Sequence, residues 1–187
     1  GDSGGEVLAV GAAARRVAAV VAQVPFAGIA EEYSAEQLEG WPVLRDALLS
    51  GERGRPADAY GPIAVVTEVE GAPAFLGQPE SWRWFTAWGD RPGSAWRNEV
   101  TIRNDGGPVF FDPGLAAAHV GPTPLLMIVA DEDRVAPVGI ALAAFARAGE
   151  PKEPVIEPGD HFVPYDGDGF ARCRDATIAF LRRPLGE

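Results

Sequence analysis

Residues 123–130, TPLLMIVA, constrain the fold more than any other stretch of the chain. The run is almost wholly apolar, carries no charge, and is entered through Pro122 and Pro124. A strand with one wet face alternates polar and apolar residues. This one does not, so it reads as a strand buried on both faces, the signature of a parallel sheet covered by helices. Two further runs read as strands: residues 17–25 (VAAVVAQVP), β-branched and ended by proline, and residues 154–157 (PVIE). Helical patterns separate them. Residues 4–16 are Ala-rich with Arg15 and Arg16 at the C-terminal end; residues 135–148 carry apolar positions at helical spacing and end in Gly149. Residues 169–185 form the last helix, with Phe170, Ala176, Ile178, Phe180 and Leu181 available for packing, Arg182 and Arg183 at its end, and Cys173 as a small apolar residue. The alternation predicts an α/β class with a mostly parallel sheet flanked by helices.

The pentapeptide Gly1-Asp2-Ser3-Gly4-Gly5 reads G-x-S-x-G, a serine on a sharp strand-to-helix turn, the nucleophile elbow. The glycines two before and two after the serine are expected to approach so closely that a Cβ would clash. Ser3 itself is expected to take strained backbone angles that lift its hydroxyl clear. A serine nucleophile needs a base within reach and a carboxylate to orient that base. The chain has two histidines. His161 lies in a Gly-Asp-His loop after the last strand and is the expected base; His119, in LAAAHVG, is expected to cap a helix end or lie exposed. The acid is expected just past residues 123–130, at the carboxyl edge of the sheet. Asp133, three residues on, is preferred, Asp131 is the alternative, and Glu132 faces solvent. The plain reading of these three is a solvated acidic turn capping the next helix. In chymotrypsin-like proteases, which also carry GDSGG, histidine and aspartate precede the serine; here both partners follow it on a βαβ pattern. An N-terminal-nucleophile hydrolase is set aside because residue 1 is glycine.

Residues 26–123 break the strand–helix alternation. Ser34-Ala35-Glu36-Gln37 is a capping box opening a helix to about Leu49, broken near Trp41-Pro42. Residues 51–62 read as loop, 63–69 as a strand or extended lid segment, 79–88 (PESWRWFTAW) as a short aromatic helix with Ser81 near its start, 96–103 (WRNEVTIR) as another helix, and 106–113 as loop. A long Trp-rich insertion between sheet strands is what a cap over an active site looks like. Trp82, Trp84, Phe85 and Trp88 are equally explained as core or as an apolar pocket wall.

The GDSGG elbow, the acid segment PLLMIVADEDRVAP and the histidine segment EPGDHFVPYDG with its following GF resemble those of the α/β-hydrolases. Within that fold they are most similar to the branch of dienelactone-hydrolase-like, X-Pro-dipeptidyl-peptidase-like and fungal polyketide-transferase-like enzymes. WRNEV (96–100) adds a less specific match. The resemblance covers nearly the whole chain in element order and implies the C-terminal two-thirds of such a fold. Residues 1–26 would be elbow, helix and strand of the core, 27–121 a helical cap insertion with its connections, and 122–187 the core segment carrying acid and histidine. It implies Ser3 as nucleophile, His161 as general base and then acid, Asp133 as orienting carboxylate, and the Gly4 backbone N–H as an oxyanion-hole donor aided by the helix N-terminus. The implied reaction is hydrolysis of a small apolar ester, thioester or lactone through an acyl-enzyme. The alternatives are an acyltransferase using the same triad, or a catalytically incompetent binding module. The family's first strands, and the loop giving a second oxyanion donor, have no counterpart in the sequence. A fragment, or a chain needing a partner segment, is therefore expected, weakly active or inactive and poorly soluble by itself.

A formal net charge of −11 argues against nucleic acid and anionic membranes as partners. A small-molecule substrate is the expected partner, besides an N-terminal segment or a second copy of the chain. Cys173 is the only cysteine, which excludes an internal disulfide and a cysteine-rich zinc site. Asp166-Gly167-Asp168-Gly169 lacks the further ligands of a calcium loop and reads as a helix cap. With no phosphate-binding glycine loop and no His-Glu-x-x-His, neither cofactor nor metal is expected. No apolar run reaches the ~18 residues of a membrane span, and a cytoplasmic location is the default.

Overall fold

The computed structural model describes residues 1–50, 59–102 and 112–186. The chain divides into two compact units, Gly1–Glu52 with Phe110–Glu187, and Arg53–Val109.

The first unit is built on a parallel sheet of β1 (Val20–Gln23), β4 (Leu125–Ala130) and β5 (Lys152–Glu157), in the order β1-β4-β5. β4 is central, and all six of its residues are buried. Its side chains alternate between two apolar clusters. Leu125, Met127 and Val129 face one shared with α1 (Asp2–Ala13) and α6 (Val138–Arg147), through Leu8, Ala9, Ala12, Ala141 and Ala144. Leu126 and Ile128 face the other, with Cys173 and Phe180 of α7 (Gly167–Leu185). Helices on both faces explain why the strand's sequence shows no polar alternation. α2 (Ala35–Glu39), α3 (Trp41–Ser50) and α5 (Pro113–Ala117) also lie in this unit. The capping box forms as expected: Ser34 Oγ accepts from Gln37 N and Gln37 Oε1 from Ser34 N. The bare carbonyls at the end of α6 are closed by Lys152, whose Nζ donates to Phe145, Ala146 and Ala148 oxygens. Asp166 caps α7 through a bond from Gly167 N, and Cys173 is buried.

The second unit holds α4 (Pro79–Gly89) and an antiparallel pair, β2 (Tyr60–Ile63) with β3 (Val100–Ile102). Asn98 clasps Val66 by both its amide groups, at 2.9 Å each way. Trp84 packs on Phe85 and Trp88, and Phe85 on Trp96.

Several expectations need correction. The helix expected over 96–103 does not form over its described residues: 96–99 lie in no helix or strand, and β3 takes up the rest, since Val100, Thr101 and Ile102 favour the pleated backbone. Tyr60, Gly61 and Pro62 belong to β2 rather than to loop, whereas only Ile63 of the 63–69 stretch is in a strand, Val66 making an isolated bridge with Leu76. α5 takes up Pro113, expected as loop, with Asp112 as its cap. Phe170 and Ile178 are exposed rather than packed. Residues 51–58 and 103–111, read as loop in part, lie outside the described residues. Among the described residues no helix is long and apolar enough to cross a membrane.

Candidate active site

Asp133 leaves β4 in a turn whose geometry its own carboxylate sets. Oδ1 accepts the N–H groups of Val135 at 2.9 Å and Ala136 at 2.7 Å, closing the turn into α6. Oδ2 lies 2.7 Å from Nδ1 of His161, which stands beyond the end of β5. Both side chains are buried. A carboxylate flanked by backbone donors accepts from the imidazole, so Nδ1 carries the proton and Nε2 has the lone pair. The ring is held edge-on by Phe162, at 5.1 Å and 80°, with Tyr165 at 6.3 Å. Nε2 faces the pentapeptide: a Cβ on Gly1 would lie 3.5 Å from it.

Gly1 caps α1, and its carbonyl gathers three backbone donors: Gly4 N and Phe26 N at 3.0 Å and Gly5 N at 3.3 Å. The start of α1 is thereby tied to the chain leaving β1. The contact is so close that a Cβ on Gly5 would stand 2.2 Å from the Phe26 carbonyl oxygen, and one on Gly4 2.7 Å from that of Gln23. Of the two glycines expected to crowd each other, Gly5 is therefore needed against the exit of β1 instead, and Gly1 would have only ordinary contact with His161. Ser3 is exposed in the first turn of α1 and, among the described residues, makes no side-chain hydrogen bond. It lines a depression of about 400 Å³ with Asp2, Val7, Val21, Gln23 and Tyr165. Burial pushes the Tyr165 phenol up, against a side-chain hydrogen bond with Gln23.

The strain expected at Ser3 is not there. As the second residue of α1 it takes helical angles, and among the described residues the non-glycine at positive φ is Val24, at 38°, just past β1. The Gly4 N–H, expected to serve an oxyanion, is directed at the Gly1 carbonyl. The structure thus brings Asp133 and His161 together and sets Gly1 against the imidazole. Ser3 stands two residues further on with no hydrogen bond to either.

The remaining candidates separate cleanly. Asp131 is not the partner of His161 Nδ1; its Oδ1 accepts from Gly159 N at 2.8 Å. Glu132 is exposed. His119 follows α5 at the helix end; its ring is half-buried and stacks on Trp41 at 5.4 Å, so burial and then Arg15 lower its pKa. Among the described residues no group of three His, Cys, Asp or Glu side chains is placed to hold a metal ion.

Two solved structures superpose on 98% of the chain. One is the α/β-hydrolase GrgF from Penicillium sp. sh18, at TM-score 0.63 and 23% identity. The other is DcsB in complex with its substrate analogue, at TM-score 0.62 and 21% identity. The fold is that of the α/β-hydrolases. The chain spans 61% and 62% of the length of those two proteins. No protein-family model and no curated protein matches the sequence.

In this α/β-hydrolase arrangement Asp133 and His161 follow adjacent parallel strands, so their side chains meet beyond the carboxyl ends of β4 and β5. The sequence carried signals for both. It carried none for the strain at Val24 or for the pairing of Gln23 with Tyr165, which depend on segments far apart in the chain.

Proposed function

We propose that the chain carries the serine, histidine and aspartate of an α/β-hydrolase and cleaves a small apolar ester, thioester or lactone through an acyl-enzyme. The observation that supports this reading most is the buried Asp133–His161 pair at 2.7 Å, with Nε2 turned to the GDSGG pentapeptide. Ser3 Oγ attacks the carbonyl carbon while Nε2 takes its proton; Asp133 stabilises the imidazolium. The imidazolium returns that proton to the leaving group. Water, deprotonated by Nε2, then releases the acid and restores Ser3. General-base help of this kind is worth roughly 10²–10⁴-fold.

Attack requires Ser3 Oγ within about 2.6–3.2 Å of Nε2, a contact that commonly tightens only with substrate bound. It also requires the Gly4 N–H to exchange the Gly1 carbonyl for the substrate oxygen; without that donor the rate falls by roughly a hundred- to a thousand-fold. A fluorophosphonate probe followed by peptide mapping tests the reading. An adduct on Ser3 is expected, abolished in Ser3→Ala and slowed in His161→Ala. No adduct, or one that survives Ser3→Ala, would overturn it.

A further inference from the structure

The turn after β4 and the loop after β5 stay joined beyond the sheet. The last pair in the ladder is Ala130 with Glu157. Past it, Asp131 N donates to the Glu157 carbonyl and Glu132 N to the Gly159 carbonyl, both at 2.9 Å. The Gly159 N–H, in turn, donates to Asp131 Oδ1 at 2.8 Å. Gly159 is therefore gripped at its N–H and its C=O by two consecutive residues. It sits at φ +126°, a conformation that side chains rarely adopt, so the loop turns there on a residue with little stiffness of its own. His161 is two residues past Gly159, and Asp133 two residues past Asp131. The clasp thus fixes the loops that carry the two members of the pair against each other at their roots.

We propose that Asp131 is a positioning residue for the histidine: its carboxylate oxygen holds Gly159, and through it the imidazole, in register with Asp133. The consequence for rate rests on His161 acting as the general base; the geometric claim does not. One acceptor oxygen is all the contact uses, so an amide oxygen at the same place serves equally. An apolar side chain does not. At this exposed edge water then solvates the freed N–H, and the fold survives while the loop loses its fixed place. A displacement of about 1 Å at a reacting group costs on the order of a hundred-fold.

The test compares Asp131→Asn with Asp131→Leu, Asp131→Ala repeating the removal if leucine fails to fold. Three quantities are read: amide exchange at Gly159, the His161 tautomer from imidazole ¹⁵N shifts, and the rate of fluorophosphonate attack by Ser3. Asp131→Asn is expected to match the parent in all three, with a rate within about twofold. The leucine variant is expected to exchange Gly159 faster, to lose the single Nδ1–H tautomer, and to label about ten- to a hundred-fold more slowly. An unchanged tautomer in the leucine variant, or an asparagine variant as impaired as leucine, overturns the proposal. If the parent never labels yet its tautomer responds to leucine, the positioning role stands and the serine-hydrolase reading falls.

Discussion

Replacing Asp133 by asparagine separates what the carboxylate does for the fold from what it does for the imidazole. The carboxylate accepts three hydrogen bonds, from Val135 N, Ala136 N and His161 Nδ1, and donates none. An asparagine offers one acceptor oxygen and one donor amino group, so it has two placements. With its oxygen on Val135 and Ala136, one conflict remains, amino group against Nδ1–H, and the ring relieves it by moving its proton to Nε2. With the amide reversed, two backbone N–H groups face an amino group and nothing relieves them, at about 1–3 kcal/mol for each buried donor left unsatisfied. The first placement wins. A charge-assisted bond then becomes a neutral one, and folding stability falls by about 1 kcal/mol. Reactivity falls far more, by about 10⁴-fold, because a protonated Nε2 cannot take the proton of Ser3. Asp133→Ala strands all three donors and is expected to lose about 3 kcal/mol or more. Urea unfolding, imidazole ¹⁵N shifts and fluorophosphonate labelling read the three quantities. An asparagine variant that labels at the parental rate, or one as unstable as the alanine variant, would refute this reasoning.

Two further outcomes follow from the packing. In Gly5→Ala the new methyl meets the Phe26 carbonyl oxygen at 2.2 Å and Pro113 Cγ at 2.9 Å. The ~1 kcal/mol gain in helix propensity is outweighed, and a net loss of about 2 kcal/mol or more is expected in urea unfolding; parental stability would disprove the close approach. For His119, burial lowers the folded-state pKa below the unfolded one, so as pH falls below about 6.5 the unfolded chain binds the proton first. Its contribution to stability is therefore present above that pH and lost as pH falls towards the lowered folded value. Subtracting Tm-against-pH curves of His119→Phe from those of the parent should reveal this fall, and superimposable curves would contradict it.

The core elements were legible because their signals are local and strong. Residues 123–130 show no polar alternation because β4 is covered on both faces, and Ser34 with Gln37 announces α2 in four residues. The 96–103 stretch failed because β3 is chosen by pairing with β2, a partner 37 to 42 positions away in register, not by local pattern. At the site, spacing past a strand end brought Asp133 and Asp131 forward together. Which one meets the imidazole was decided by the carboxylate's own turn, since the bonds from Val135 and Ala136 turn Asp133 inward while Asp131 reaches across to Gly159.

By itself the sequence determined the α/β class, the succession of the core strands and helices along the chain, and the short set of side chains able to do chemistry, because apolar periodicity and residue type are properties of contiguous residues. Only the tertiary structure decided which groups touch. It buried His161 against Asp133, stacked His119 on Trp41, set the strain at Val24 rather than Ser3, and tied the Phe26 N–H to the Gly1 carbonyl. Each of these contacts joins segments whose distance in space is set by packing, or a backbone angle that packing imposes, and neither is written in local pattern.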